Sequence, residues 1–170
     1  MSICDFIREE VEHEMVSTRK VLAACPEEKL TWQPHQKSMT LGRLAGHVAE
    51  IPRWVSKILE AESFDIMPGG TRAFQPLNPT TREEILHAFE EHAAKGKALL
   101  SQLTEDQLSH SWSLLFNGKS VLTKSRYGAL HFLAMNHMIH HRAQLTVYLR
   151  LCGVPVPGLY GPSADDKSPS

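Results

Sequence analysis

The chain has 170 residues, 42% of them hydrophobic and 22% charged, and a formal net charge of -1 with histidines neutral. This length fits one domain with a sizeable core that needs neither disulfides nor a structural metal to fold. Lysines and arginines do not cluster along any face, so the composition argues against a nucleic acid as partner.

The cysteines and the N-terminus indicate a compartment. Cys4, Cys25 and Cys152 form no CxxC pair, which is typical of free thiols in a reducing compartment. The first ten residues carry acids where a signal peptide needs a basic region and an apolar run, and no segment approaches ~20 apolar residues. We therefore expect a cytoplasmic protein that neither is exported nor spans a membrane.

Two helices are predicted in the first third of the chain. Apolar positions spaced by three and four residues predict a helix over 3–24, followed by an ordered connection that Trp32 anchors. Thr40 is a suitable N-cap for a second helix over about 41–61. Pro52 lies inside that helix and lacks an N–H, so we expect a kink just past His47 at a cost of ~3 kcal/mol.

The middle of the chain predicts a connection, a third helix and a hairpin. Residues 62–79 are rich in proline and glycine and are expected to form a long surface connection, with a lid as one possible role. The third helix starts after a capping box of either Thr80 with Glu83 or Thr81 with Glu84. Asn117-Gly118 then predicts a type I′ turn, and we expect a small β-hairpin rather than a sheet.

The fourth helix is predicted over about 126–151, where Gly153 and Pro155 end it. Four amphipathic helices indicate an all-α fold, a four-helix bundle with a small β-hairpin between helices three and four. We expect a single domain over residues 1–166 and a frayed tail at 167–170. The long connections after helices one and two leave room for a crossover between helices.

Histidines on the fourth helix are the strongest chemical signal. One side of this helix carries Leu130, Leu133, Ala134, His137, His141, Gln144, Tyr148 and Leu151. The HxxxH spacing alone is weak, because such histidines often lie on a surface or in a satisfied core. Their inward placement strengthens it, since buried imidazoles need partners. His47, at the edge of the second helix's apolar stripe, is the candidate third ligand.

Three neutral imidazoles would form an open metal site, because closed zinc sites normally use four protein ligands. Such a site favours hydroxide, carboxylate or thiolate as a further ligand. Imidazole suits zinc, nickel, iron and copper, so the ligand type does not choose between them. We expect one divalent transition metal, with zinc or nickel placed ahead of iron. His140 and Glu50 are interpreted as neighbours or surface residues, and His131 as incidental.

Two further residues are assigned to the surroundings of the site. Gln144 lies one turn beyond His141 and either orients a ligand or substrate or makes only a core-edge hydrogen bond. Trp54, two turns after His47, is predicted to wall a substrate pocket. The patterns for known nucleophiles, phosphate loops and HExxH zinc sites do not occur, so the sequence singles out no catalytic side chain.

A second apolar strip lies opposite the histidines of the fourth helix. It consists of Phe132, Met135, Ile139 and Ala143. Either the hairpin or the 62–79 segment covers it, or it pairs with its copy in a second chain. We expect a homodimer.

Three blocks, in order along nearly the whole chain, carry a family resemblance. They are Trp32-Gln-Pro34 with Ser38-Met-Thr-Leu-Gly-Arg-Leu-Ala-Gly-His47-Val-Ala-Glu, then His137-Met-Ile-His-His141-Arg-Ala-Gln144-Leu, and the closing Gly153-Val-Pro-Val-Pro-Gly-Leu-Tyr-Gly-Pro-Ser-Ala-Asp. Together they resemble the DinB-like (DinB/YfiT) superfamily.

The resemblance implies an up-down-down-up four-helix bundle, often dimeric, that binds a divalent metal through three histidines matching His47, His137 and His141. Some relatives are transferases of low-molecular-weight thiols, and others without an assigned reaction are loosely called metal-dependent hydrolases. The implied function is a metal-dependent enzyme that activates such a thiol, or water, toward a small-molecule substrate. The alternative is a non-catalytic, stress-related binding module that holds a structural or regulatory metal.

Overall fold

The computed structural model describes residues 2–166, so the tail predicted at 167–170 lies outside the described residues. The α-helices are Ile3–Ala23 (α1), Leu41–Glu50 (α2), Arg53–Glu60 (α3), Arg82–Ser101 (α4), Glu105–Ser109 (α5), Arg126–Ala129 (α6) and Asn136–Leu151 (α7). The strands are Ser63–Asp65 (β1), Ser111–Phe116 (β2) and Lys119–Ser125 (β3). Short 3₁₀ turns occupy Glu27–Lys29 and Pro68–Gly70, and a π-helical stretch, Leu130–Met135, joins α6 to α7.

The helices pack around a shared apolar core. Helix α4 contacts α1, α2 and α3, while α7 contacts α1 and α2. This arrangement places α2 against α7, the two helices that carry the candidate ligands. Within residues 2–166 no helix combines the length and hydropathy that a membrane crossing requires.

The small sheet corrects the prediction of a hairpin alone. Strands β2 and β3 form the expected antiparallel hairpin, and Asn117 and Gly118 have φ values of 50° and 77° as a type I′ turn requires. Strand β1 adds parallel to β2, so the fold is mostly helical with a three-stranded sheet rather than all-α. The carboxylate of Asp65 fixes β1, because it accepts from the backbone N–H groups of Asn117 (3.0 Å) and Gly118 (2.7 Å).

The second predicted helix is interrupted at the expected place. Helix α2 ends at Glu50 and α3 begins at Arg53, with Pro52 between them. Local i to i+3 bonds replace the helical pattern there, from the Ile51 N–H to the Val48 carbonyl (3.3 Å) and from the Val55 N–H to the Pro52 carbonyl (3.1 Å). Since Pro52 has no N–H to donate, the proline produces a break rather than a bend.

The end of the 62–79 segment lies directly on α2. We call residues 77–79 the strap. A Cβ on Gly46 would lie 2.7 Å from the Leu77 carbonyl oxygen, and one on Gly42 would lie 3.4 Å from the Pro79 carbonyl oxygen. Glycine is therefore needed at position 46 for the strap to approach this closely. The strap then runs into α4, whose N-cap is Thr81 with the Thr81–Glu84 capping box.

The π-helical stretch changes the phase of the fourth predicted helix. At its end the Asn136 N–H donates to the carbonyl of His131, five residues back. Met135, expected in the outer strip, is buried, and Leu151, expected to face inward, is exposed. The outer strip is therefore only partly right, with Phe132 and Ala143 exposed. A constant period of 3.6 residues cannot describe a helix that contains a widened turn.

A buried ion pair joins α7 to α1. The Arg142 guanidinium lies 2.6 Å from the Glu14 carboxylate, and it also donates to the Thr18 hydroxyl at 3.1 Å. Tyr160 of the C-terminal segment donates its hydroxyl to Glu14 at 2.8 Å. The charges therefore have partners within the core, as buried charges require.

Candidate metal centre

Three predicted histidines converge where α2 meets α7. His47 stands near the end of α2, and His137 and His141 follow each other by one turn on α7. The ring centroids are 5.0 Å apart for His47 and His137, 4.5 Å for His47 and His141, and 4.8 Å for His137 and His141. One nitrogen from each ring lies within 4.8 Å of the others. Among the residues that the structure describes, this is the one such cluster of histidine, cysteine or acidic groups.

Outward hydrogen bonds hold two of the three rings. Nδ1 of His137 lies 3.3 Å from the carbonyl oxygen of Leu133, a residue of the π-helical stretch. Nδ1 of His141 lies 2.8 Å from Oε1 of Gln144, whose amide nitrogen is in turn 3.2 Å from Nε2 of His140. An imidazole that donates from Nδ1 keeps its Nε2 lone pair for an ion. Gln144 therefore contacts His141, but its side chain is exposed rather than inward-facing as the helical period predicted.

The three imidazoles are neutral at physiological pH. Burial, with the charges of His141, His137 and Arg43, lowers the pKa of His47 from 6.5 to about 3. Burial is also the main cause that lowers the pKa of His137 and His141. Because burial disfavours the charged form of imidazole, the rings stay unprotonated and their lone pairs remain available.

The donor set fits a divalent transition metal. An ion bound tetrahedrally to imidazole at ~2.1 Å holds its nitrogen ligands about 3.4 Å apart, and Nε2 of His47 lies 3.2 Å from Nε2 of His137. Two nitrogen lone pairs cannot face each other at this distance unless a proton or an ion lies between them. Three protein ligands leave a further coordination position open. The cluster could therefore hold one ion and still admit an exogenous ligand.

Glu50 differs from its predicted outward orientation. Its side chain is buried, Oε1 accepts from the Leu77 N–H at 2.8 Å, and Oε2 accepts from Arg43 at 3.2 Å. Arg53 lies 3.7 Å from the same carboxylate. The strap covers Glu50 and the arginines neutralise it, a combination that helical periodicity alone could not reveal. Arg43 was likewise not predicted, although its position four residues before His47 places both on one helix face.

Trp54 lies in an aromatic cluster. Its ring centroid is 5.9 Å from that of Phe64, 6.5 Å from Phe74 and 6.5 Å from Trp112. Because Pro52 separates α3 from α2, the two-turn spacing from His47 does not put Trp54 and His47 on one continuous helix. Its assignment to a pocket wall therefore stays a prediction. His131, interpreted as incidental, lies against Tyr127 with centroids 4.6 Å apart.

Sequence comparison relates the chain to one family. The model of the DinB family matches residues 6–168. YrdA of Bacillus subtilis strain 168 is 29% identical over 157 residues, a match that covers 91% of this chain and 86% of YrdA. YjoA of the same organism is 26% identical over 137 residues, covering 80% of this chain and 82% of YjoA.

Solved structures agree with this relationship. A DinB-like protein from Bacillus cereus ATCC 10987 superimposes with a TM-score of 0.69 at 26% identity, covering 91% of this chain and 95% of that protein. The DinB-like YjoA of Bacillus subtilis superimposes with a TM-score of 0.65 at 22% identity, covering 88% of this chain and 95% of YjoA. The second likeness concerns the fold alone.

Proposed function

The chain belongs to the DinB family, and on that premise we propose that it is a metal-dependent enzyme acting on a small-molecule substrate. Its ligands are His47, His137 and His141, and it activates a low-molecular-weight thiol for transfer or, as the second choice, water for hydrolysis. The observation that carries the proposal is the convergence of three neutral imidazoles with a coordination position left open. The ion would be zinc or nickel, with iron as the alternative.

When bound, such an ion would act as a Lewis acid that lowers the pKa of a coordinated thiol or water. The chain's own residues prepare this chemistry. Burial keeps the His47 imidazole unprotonated, and the Leu133 carbonyl and Gln144 orient the other two rings. These outward bonds select the tautomer in which Nε2 faces the centre of the cluster.

The position of Glu50 favours a thiol over water. Both of its carboxylate oxygens are hydrogen-bonded, one to the Leu77 N–H and one to Arg43, so it is not free to act as a general base toward water. A thiol has a pKa near 8.5, against 15.7 for water, and it needs far less help to lose its proton. Thiol transfer is therefore the better match to this cluster.

The finer architecture follows from the same membership. We propose that the helices take the up-down-down-up order of a four-helix bundle and that the chain forms a homodimer in the cytoplasm. Phe132 and Ala143, exposed on the outer strip, are the residues proposed for the dimer contact. A light-scattering mass of one chain at micromolar concentration would refute the dimer.

The metal assignment is tested on protein purified without a histidine tag. We expect one divalent ion per chain by elemental analysis, and loss of that ion in His47→Ala and His137→Ala with unchanged far-ultraviolet circular dichroism. His131→Ala is the matched control, because its ring lies against Tyr127 rather than in the cluster. Full metal content in the His47→Ala/His137→Ala double variant would refute the ligand assignment.

The activity is tested next, by a screen of cellular thiols with model electrophiles and of simple esters. We expect turnover that requires both a thiol and the bound metal. Gln144→Ala should weaken metal affinity by roughly 10- to 100-fold, the usual effect of losing an orienting partner. If the metal-loaded protein turns over none of these substrates, the enzyme proposal fails and a binding module that uses the ion for structure or regulation replaces it.

A further inference from the structure

An open apolar groove of about 330 Å³ lies between α1 and α4. Its floor is formed by Val11, Phe89 and Leu100, which are 5%, 2% and 3% exposed. All of its lining residues belong to these two helices, whereas the histidine cluster lies on α2 and α7. The groove is therefore separate from the metal centre, and the proposed function does not use it.

Two ion pairs set the register of the two helices at this groove. Nζ of Lys97 on α4 lies 2.7 Å from Oε2 of Glu12 on α1, and Nη2 of Arg19 on α1 lies 2.8 Å from Oε1 of Glu90 on α4. The partners ascend along α1 as they descend along α4, so the helices are antiparallel. From 12 to 19 on α1, and from 90 to 97 on α4, the pairs are two helical turns apart, a distance of about 10 Å.

Small side chains open the groove between these two pairs. The register places Met15 and Val16 of α1 opposite Ala93 and Ala94 of α4, and all four residues line the groove. Alanine has only a methyl group, so α4 contributes little side-chain volume to a space that protein interiors normally fill. Val16 is 49% exposed, and the concave apolar surface that remains is one that a ligand can cover.

The charges at the rim of the groove are paired with one another. Besides the two ion pairs between the helices, Arg8 has Asp5 as its partner and donates to the carbonyl oxygens of Leu100 (2.9 Å) and Leu103 (3.3 Å). In the part of the chain that the structure describes, no side chain lining the groove carries an unpaired charge. Electrostatic complementarity therefore favours an uncharged ligand, because a charged one would lose hydration without gaining a partner.

The size of the groove indicates a small molecule. A cavity of roughly 150 Å³ with apolar walls accepts one benzene molecule, and this groove has about twice that volume, enough for two or three rings. A protein partner would also have to cover the two ion pairs, whose side chains are between 52% and 70% exposed, at the cost of removing their hydration. A small ligand fits between the pairs and leaves them in water.

We propose that the groove between α1 and α4 is a binding site for an uncharged, apolar small molecule of two or three rings. Met15 and Val16 form one wall, Ala93 and Ala94 form the other, and the ring of Phe89 lies in the floor, where an aromatic ligand gains from packing against it. The site goes beyond the proposed function, because it uses none of the metal ligands. It binds its ligand whether or not an ion is present.

The proposal is tested with phenylnaphthylamine, an uncharged probe whose fluorescence rises in an apolar environment. Anilinonaphthalene sulfonate has the same ring system with one negative charge and serves as the comparison. We expect saturable binding of one phenylnaphthylamine per chain, and binding of the sulfonate that is no tighter, because every cation at the rim already has an acid as its partner. Absence of saturable binding, or tighter binding of the sulfonate, would overturn the proposal.

Variants that fill the groove locate the binding site. Ala93→Leu and Ala94→Leu each enlarge the α4 wall and should weaken phenylnaphthylamine binding by roughly tenfold or more. Ala94 is exposed, so its variant keeps the test valid even where Ala93→Leu disturbs the fold. Ala98→Leu is the matched control, because Ala98 is exposed on the same helix and does not line the groove. Unchanged binding in the filled variants, or an equal loss in Ala98→Leu, would overturn the assignment.

A nuclear magnetic resonance titration locates the probe without any variant. In protein isotope-labelled at its methionine methyl groups, the ring current of the bound probe should shift the Met15 resonance and leave those of Met135 and Met138, which are buried elsewhere in the core. An unshifted Met15 resonance at saturation would overturn the site. The titration is repeated at increasing protein concentration. Affinity that falls as the chain self-associates would show that a second copy covers the groove, and it would overturn the proposal of a small ligand.

Discussion

The buried pair of Arg142 and Glu14 allows a test of how burial, at a constant distance between the charges, changes the stability that an ion pair contributes. Their charged atoms are 2.6 Å apart, with side chains 1% and 5% exposed. The same helix carries a second pair, Arg150 with Asp165, also at 2.6 Å, with side chains 50% and 29% exposed. Both pairs join an arginine of α7 to an acid elsewhere at the same distance. They differ in solvent access and in the additional hydrogen bonds that Thr18 and Tyr160 make to the buried pair.

Removing one arginine at a time should have very different effects. Arg142→Met leaves the Glu14 carboxylate buried without its counter-ion, which costs about 3–5 kcal/mol. Arg150→Met breaks a solvated pair, which contributes little to stability because water screens both charges. Against a total stability on the order of 5–15 kcal/mol, the first change should shift the urea midpoint strongly and the second only slightly.

The assay is urea unfolding of the metal-free protein, followed by far-ultraviolet circular dichroism and analysed for the midpoint and slope. A double variant, Glu14→Leu with Arg142→Met, removes both charges and should recover most of the stability lost in Arg142→Met. A loss below about 1 kcal/mol in Arg142→Met, equal to that in Arg150→Met, would refute the reasoning from burial.

Two further predictions concern α2 and the histidines. Gly46→Ala places a Cβ 2.7 Å from the Leu77 carbonyl oxygen and should lower the free energy of unfolding by about 1–3 kcal/mol, less the ~1 kcal/mol gained in helix propensity. In Gly96→Ala the new Cβ meets only the Val55 side chain, at 3.2 Å, so the same urea assay should show a smaller loss of stability. An equal loss in the two variants would contradict the strap contact. In the metal-free protein the contribution of His47 to stability should be fully present above about pH 6.5 and should be lost as the pH falls toward 3. The unfolded chain takes up a proton over this range, whereas His47 in the folded chain, with a pKa of about 3, does not. The loss should stay below about 1.4 kcal/mol per pH unit for each histidine, since the rings are partly solvated, and a His47→Ala variant with the same pH slope would contradict this.

Much of the fold was predictable because the signals were local. The helix over 3–24, the capping box at Thr80 or Thr81, the kink at Pro52 and the Asn117-Gly118 turn each depend on side chains within a few residues of one another. Strand β1 was missed because three residues are too few to show alternation. It is held by Asp65 through contacts to a turn about fifty residues later, and no local pattern carries that information.

In the candidate site, too, the residues with local signals were predicted and those that depend on distant segments were not. His137 and His141 share a helix, so their spacing revealed them, and His47 followed from the edge of a second amphipathic stripe. The burial of Glu50 and Arg142 depends on partners from distant segments, Leu77 for the first and Glu14 for the second. A charged residue on a helix indicates a solvated face by default, and only tertiary contacts reverse that expectation.

The π-helical stretch lies between two parts of one helix that pack in different core clusters. Leu130 and Ala134 pack in the same core cluster as Trp112 and Leu108, near the sheet, while Met138 and Leu145 pack in the cluster that contains α2. The widened turn between them sets the angle between these two parts of the helix, since deleting one of its residues would rotate one part against the other by about 100°. The extra residue of this turn therefore sets both the face that packs near the sheet and the direction in which His137 and His141 project toward His47.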